Sequence, residues 1–224
     1  MIIQLITLEE TPERTEKAVT ALRSRDYKAH QFKRMTPGWK GCINSHLEVY
    51  RRNPDTKMIF VCEDNISPTG EWLSPDFYNF IEKHDWDLIF VGGYICRPWD
   101  YCRKVSQNMF ETRNNNHGTV SYIISQRLAR KILSMNEIAE IIQPFDVFLS
   151  RFTTYIHNPL LFHHAHDIKS NINGWMDPFR KVWFHPLMMK IHTLVFFDRK
   201  WLWIIIAILW WIIHRLIKPV HITA

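Results

Sequence analysis

Short apolar runs alternate with amphipathic stretches through the first two-thirds of the chain. Ile2 to Leu8 is apolar and stops at Glu9-Glu10-Thr11-Pro12. That pattern predicts a strand and then a helix through about Leu22, with Thr11 as N-cap and Pro12 in the first helical position. Arg23 to Lys40 is polar and shows no period, so it reads as irregular. Ile43, Leu47 and Tyr50 recur at helical spacing and predict a helix from about Gly41 to Arg52, ended by Asn53-Pro54. Lys57 to Cys62 is a β-rich run that delivers three polar residues, Glu63, Asp64 and Asn65, at its end. Ser74 to Lys83 predicts a capped helix. Trp86 to Val91 predicts a strand closed by Gly92-Gly93, and Arg97 to His117 reads as a polar loop. Gly118 to Ile124 predicts a further strand, after which Ser125 caps a helix through Leu133. Alternating strand and helix argues for an α/β sandwich on a mostly parallel sheet, and no internal repeat breaks the pattern.

The pattern changes after about Asn158. Histidines cluster at His163, His164 and His166, and basic and aromatic residues then mix through His192. Trp201 to Ile213 carries no charge. As a helix it would reach about 20 Å, against about 30 Å for a hydrocarbon core. Trp201, Trp203, Trp210 and Trp211 bracket it, and Arg199, Lys200, Arg215 and Lys218 flank it. Such an aromatic and basic girdle predicts a C-terminal hydrophobic helix over 193–224 that anchors the chain to a membrane, spanning it or lying in its interface.

Composition narrows the function classes. The 224 residues are 46% hydrophobic and 22% charged, which excludes wholesale disorder. Ten Trp and fourteen Phe suit a sugar-handling surface or a membrane interface, and a net charge of +6 favours anionic partners. No nucleic-acid-binding module is recognisable. Cys42, Cys62, Cys96 and Cys102 form no CxxC pair and read as reduced thiols. The first residues lack the basic start and apolar core of a signal peptide, so a cytosolic-side location is expected. On that expectation the sequon Asn65-Ile66-Ser67 is not a glycosylation site.

Five blocks carry a resemblance. Ile6-Thr7-Leu8 with Arg14 is similar to an "INL…R" opening, and Gly41-Cys42-Ile43-Asn44-Ser45-His46 matches "GCxxSH". Phe60 to Asn65 resembles a "vLEDD" strand end. Gly118 to Ser125 resembles "GTxaYlIS", and Pro144-Phe145-Asp146 a "PxD" element. In this order, over roughly residues 2 to 150, they resemble glycosyltransferase family 25, which includes lipooligosaccharide and collagen galactosyltransferases.

The resemblance implies a GT-A-like nucleotide-sugar-binding α/β/α sandwich over 1–192. It also implies transfer of a hexose, galactose or glucose, from a UDP-sugar to a glycan, lipid-linked or protein acceptor. A transferase of this kind must neutralise a diphosphate leaving group and deprotonate an acceptor hydroxyl. For the first task the family uses carboxylates with Mn²⁺ or Mg²⁺, which puts the metal at Asp64 and Asn65, with Asp64 catalytic as well. Asn65 stands where the family has Asp; an amide oxygen ligates a cation without adding charge, so affinity should fall. Donor contacts fall to Thr7, Leu8, Arg14, Ser45, His46, Glu63 and Gly118, and Asp146 is the candidate general base. Thr7 replaces the family's Asn, and with Asn65 it leaves a second reading open: a weakened or inactive member that binds nucleotide sugar or a partner protein. Each residue also has a plainer reading. Ser45 and His46 could satisfy one another or the backbone, Asp146 could sit near a helix dipole, and the histidines could be a solvated cluster.

Overall fold

The computed structural model describes residues 1–95, 101–112, 116–135 and 144–165, together with Ile208 and Trp210. The chain divides into two units, Met1–Pro178 and Phe179–Ala224. In the second, the described residues are Ile208 and Trp210, both helical and exposed. Apart from these two residues the predicted C-terminal hydrophobic helix lies outside the described residues, as do His166 and Cys96. Among the described residues no helix is long and apolar enough to cross a membrane.

The first unit opens with β1 (Ile3–Leu8), α1 (Pro12–Leu22), β2 (Tyr27–Phe32) and α2 (Gly38–Arg51). It continues through β3 (Met58–Glu63), β4 (Ile66–Pro68), α3 (Pro75–Lys83) and β5 (Leu88–Ile95). A hairpin of β6 (Tyr101–Lys104) and β7 (Met109–Thr112) leads to β8 (Asn116–Ser125) and α4 (Gln126–Ser134). Last come α5 (Phe145–Leu149), β9 (Thr154–His157) and β10 (Phe162–His164). The strands join one sheet in the order β2-β1-β3-β8-β5-β9-β7-β6, and β4 and β10 pair off that path.

The expected mostly parallel sheet is corrected to a mixed one. β1 pairs in parallel with β2 and β3, but β8 runs antiparallel between β3 and β5. The reason is local: the hairpin reverses the chain after β5, so β8 returns beside it without a crossover. Two predicted loops therefore contain strands, β2 within Arg23–Lys40 and β6 with β7 within Arg97–His117. β5 also runs on through Gly92 and Gly93, with register shifts at both.

The helix starts follow their sequence signals closely. Ser74 accepts a bond from the Phe77 N–H at 3.3 Å, and Ser125 from the Leu128 N–H at 3.1 Å. Thr11 holds the N-cap position of α1, but its hydroxyl makes no capping bond. The core lies on the central strands, where Ile3, Leu5, Phe60, Ile89 and Ile123 are fully buried. α1 packs inward through Arg14, Ala18 and Leu22, spaced four apart, so one charged residue occupies its apolar stripe.

Gly92 sets how closely β10 crosses β5. A Cβ there would stand 2.8 Å from the Phe162 carbonyl oxygen and 2.9 Å from the Ser121 Cβ. Neither is the loose end of a flexible side chain, so Gly92→Ala must push strands apart. It is expected to lower stability by about 1–3 kcal/mol, read from the urea midpoint. An unchanged midpoint would show that the crossing is looser than these distances require.

Candidate active site

Four of the five sequence blocks converge at the carboxyl end of β3, and α1 brings Arg14 to Asp64 there. α2 supplies Cys42 and His46 one turn apart, and β3 supplies Glu63 with Asp64 and Asn65 beyond it. β8 contributes Gly118, Thr119 and Tyr122, and α5 contributes Phe145 and Asp146. β10 ties the loop down: His164 is opposite Ile66, and the Ala165 N–H donates to the Asn65 carbonyl at 2.6 Å.

Glu63 is saturated with donors. Its Oε1 receives the Thr119 hydroxyl and, at 3.3 Å, Nε2 of the buried His46; its Oε2 receives the Asn65 amide at 3.2 Å. Nδ1 of His46 meets the Tyr122 hydroxyl at 2.7 Å, and Tyr122 meets Tyr50 at 2.6 Å. For a neutral imidazole the donors run one way, Tyr50 to Tyr122 to His46 to Glu63. Burial alone would raise the Glu63 carboxyl, but the His46 imidazole, the Thr119 hydroxyl and the charge of His164 outweigh it and hold it at about 2.

Asp64 behaves oppositely. Burial pushes its carboxyl up to about 6, with the Glu63 charge adding to the rise and the Arg14 guanidinium pulling it down. Its Oδ1 is ion-paired to Arg14 within the protein, both side chains being buried. Two neighbouring carboxylates are thus driven apart, one held ionised and one near neutrality.

The Glu63 shift has a measurable consequence. A folded-state pKa below the ordinary 4.5 stabilises the fold above that pH, and this is lost as pH falls toward about 2. The span corresponds to about 3 kcal/mol. Asp64, shifted upward, works in a separate window: its contribution is present below 3.8 and is lost as pH rises through about 6. Glu63→Gln is therefore expected to flatten the acid limb of a stability profile below pH 4.5 and to shrink, without removing, the limb near pH 6, since burial of Asp64 remains after the Glu63 charge is gone. Urea midpoints across pH 2–7 measure both limbs, and a parallel acid limb in the variant would contradict the assignment.

The cation fit can be tested on orphaned oxygens. Asp64 Oδ2 and Asn65 Oδ1 are both buried without a hydrogen-bond partner, in a structure where buried acceptors normally find one. One carboxylate oxygen and one amide oxygen are hard donors that fit Mg²⁺ or Mn²⁺. Arg14 Nε and Nη1 are likewise buried and unpartnered, and would suit an anionic oxygen.

The remaining expected residues divide. Asp146 faces the cluster, its Oδ2 accepting the Gly118 N–H at 2.7 Å. Gly118 has φ +118°, a left-handed value that favours glycine. Ser45 instead bonds back to the Gly41 carbonyl at 2.9 Å, and the Thr7 hydroxyl to the His30 carbonyl at 3.4 Å, so both are taken up by main chain. Leu8 ends β1, half-buried. A solvated histidine cluster is corrected in part, because His164 is buried by its pairing with β4. Cys42 and Cys62 are free thiols, the latter buried against the Ser121 hydroxyl at 3.1 Å. Sequence reasoning missed Thr119, Tyr122 and Tyr50. The available signal was Tyr122 itself, a polar-tipped residue in the middle of an apolar strand.

Residues 2–149, about two-thirds of the chain, match glycosyltransferase family 25, described as an LPS biosynthesis protein family. The chain belongs to glycosyltransferase family 25. Among solved structures it is similar to A197 from STIV, with 14% identity and a TM-score of 0.42 over 73% of this chain and 85% of that one. It is also similar to a glycosyltransferase involved in the glycosylation of the major capsid of PBCV-1, at 9% identity and a TM-score of 0.39, over 75% and 94%. GlyE of Streptococcus pneumoniae TIGR4, another glycosyltransferase, gives 10% and 0.43, over 94% and 62%. No curated protein matches the sequence.

Proposed function

We propose that this chain is a hexosyltransferase that moves galactose or glucose from a UDP-sugar to a hydroxyl of a glycan, lipid-linked or protein acceptor. We place it at a membrane through its C-terminal stretch, with the catalytic domain on the cytosolic side. The observation that carries the catalytic reading is the pairing of orphaned oxygens on Asp64 and Asn65 with orphaned N–H groups on Arg14. In this reading the oxygens would take a cation and the N–H groups the anion it would neutralise.

In this reading Asp64 and Asn65 would hold Mn²⁺ or Mg²⁺, which would supply positive charge against the diphosphate leaving group. Arg14 adds its unpartnered donors to that anion. Glu63, already satisfied by His46, Thr119 and Asn65, keeps the strand end rigid and orients the donor pocket. Asp146 takes the proton of the acceptor hydroxyl, its carboxylate aimed by the Gly118 N–H. Leu8 and the Gly118 backbone border the donor. Assays of hydrolysis and transfer across UDP-sugars with Mn²⁺ test the proposal. No turnover and no binding of any donor would sink it.

The weakened or binding-only reading is favoured by one observation: Asn65 brings no charge to the cation site. Asn65→Asp separates the two readings. The substitution exchanges the amide's bond to Glu63 for a like-charge contact, so the cation-free variant should lose thermal stability. Mn²⁺ should then stabilise it more than the parent chain and raise transfer at least tenfold. Silence of both forms in every assay would favour a binding role.

A further inference from the structure

Cys42, His46 and Glu63 offer a set of metal-donor atoms to which the proposed glycosyl transfer gives no metal-binding role. A thiol sulfur, a ring nitrogen and a carboxylate oxygen all lie within 4.8 Å of one another. Cys42 and His46 are held one turn apart by α2, and Glu63 is held by β3, so the set stands on two rigid elements. The His46 Nε2 to Glu63 Oε1 separation of 3.3 Å is long for a charge-assisted hydrogen bond. It does match the edge of a tetrahedron whose bonds are about 2.0–2.1 Å, the usual zinc-to-nitrogen and zinc-to-oxygen lengths. His46 already has the outer partner that metal-binding imidazoles need, since Tyr122 sits 2.7 Å from Nδ1 and is backed by Tyr50.

We propose that Cys42, His46 and Glu63 form a site for a thiophilic divalent cation of the zinc class, with a fourth position left open. Its donor chemistry is soft and borderline, whereas the Asp64 and Asn65 oxygens suit Mg²⁺ or Mn²⁺. Binding replaces the thiol proton: the Cys42 S–H bond breaks, a sulfur–metal bond forms, and one proton leaves to solvent. His46 ligates through Nε2, so its ring proton passes from Nε2 to Nδ1, where the Tyr122 oxygen accepts it while the Tyr122 hydroxyl turns to donate to Tyr50. A Glu63 oxygen coordinates while still accepting from Thr119.

The probe is the metal alone, so failure here leaves the glycosyl-transfer reading untouched. Metal-free full-length chain is titrated with Co²⁺. A thiolate-to-cobalt absorption band is expected to saturate at one equivalent and to be bleached by Zn²⁺. Cys42→Ser should abolish the band, and Glu63→Gln should keep it with at least tenfold weaker affinity; far-UV circular dichroism checks that both variants fold. A measurement on the unaltered chain covers any failure to fold. Zn²⁺ should slow alkylation of Cys42, followed by mass spectrometry, at least tenfold, and Mg²⁺ should not. Absence of the band, its persistence in Cys42→Ser through another cysteine, or equal alkylation rates would overturn the site in favour of a hydrogen-bonded cluster only.

Discussion

Asp64→Leu is expected to cost about 3–5 kcal/mol of stability, and Arg14→Met only about 1–2 kcal/mol at pH 7, although the two variants break the same ion pair. The asymmetry follows from what each stranded partner can do. With Arg14 removed, the Asp64 carboxyl escapes by taking up a proton. Its pKa in the folded protein is already about 6, so protonation at pH 7 costs about 1.4 kcal/mol. With Asp64 removed, a guanidinium remains buried, and arginine does not deprotonate in proteins. The Arg14 Nε and Nη1 groups have no partners to fall back on, and Nη2 loses the one it has. The Arg14→Met loss should therefore fade as pH falls below 6, while the Asp64→Leu loss should persist. Carrying both substitutions should recover most of the larger loss, because neither charge is then stranded. Urea denaturation of the three variants at pH 5 and pH 7 measures all of this. Equal losses that do not vary with pH would show that the pair is not isolated from water.

The sequence put Arg14 and Asp64 in one site through the resemblance, but not as an ion pair. Arg14, Ala18 and Leu22 share one face of α1, and an arginine at a core-facing position asks for a buried partner. Nothing local says that the partner lies fifty residues on, because α1 meets the loop after β3 only once the sheet has formed. The same division runs through the fold. β1, β3 and β8 were legible because strands buried on both faces read as apolar runs. β2 was not: it is an edge strand with His30 as its single buried residue, and Tyr27 to Phe32 shows no alternation. β4 and β10 are three residues each, too short to carry a period, and exist because they pair with one another. At the site, the chemistry-bearing types at Cys42 to His46, Glu63 to Asn65 and Gly118 to Tyr122 were readable as blocks. Their division of labour was not. Glu63 and Asp64 are neighbours with interchangeable chemistry until the fold surrounds one with donors and buries the other beside the Arg14 guanidinium.

Asp146→Asn is expected to reduce sugar transfer by about 10²–10⁴-fold while changing stability by less than about 1 kcal/mol. The substitution separates the contact that this side chain makes with Gly118 from the proton-accepting task proposed for it. An amide oxygen in place of Oδ2 still accepts the Gly118 N–H, so the left-handed start of β8 and the Thr119 contact to Glu63 are retained. What is lost is the ability to hold a proton taken from an acceptor hydroxyl. Hydrolysis of the donor by water should fall with transfer, because water is deprotonated by the same group. Donor binding should not fall, because Asp64, Asn65 and Arg14 are untouched. The comparison variant is Asp146→Ala, which removes both tasks. It should lose stability through the unpaired Gly118 N–H as well as activity. Steady-state transfer, donor affinity by calorimetry and urea midpoints for the pair give a clear reading. Transfer retained by Asp146→Asn and lost only by Asp146→Ala would make Asp146 a positioning residue, and the acceptor's proton would then need another destination.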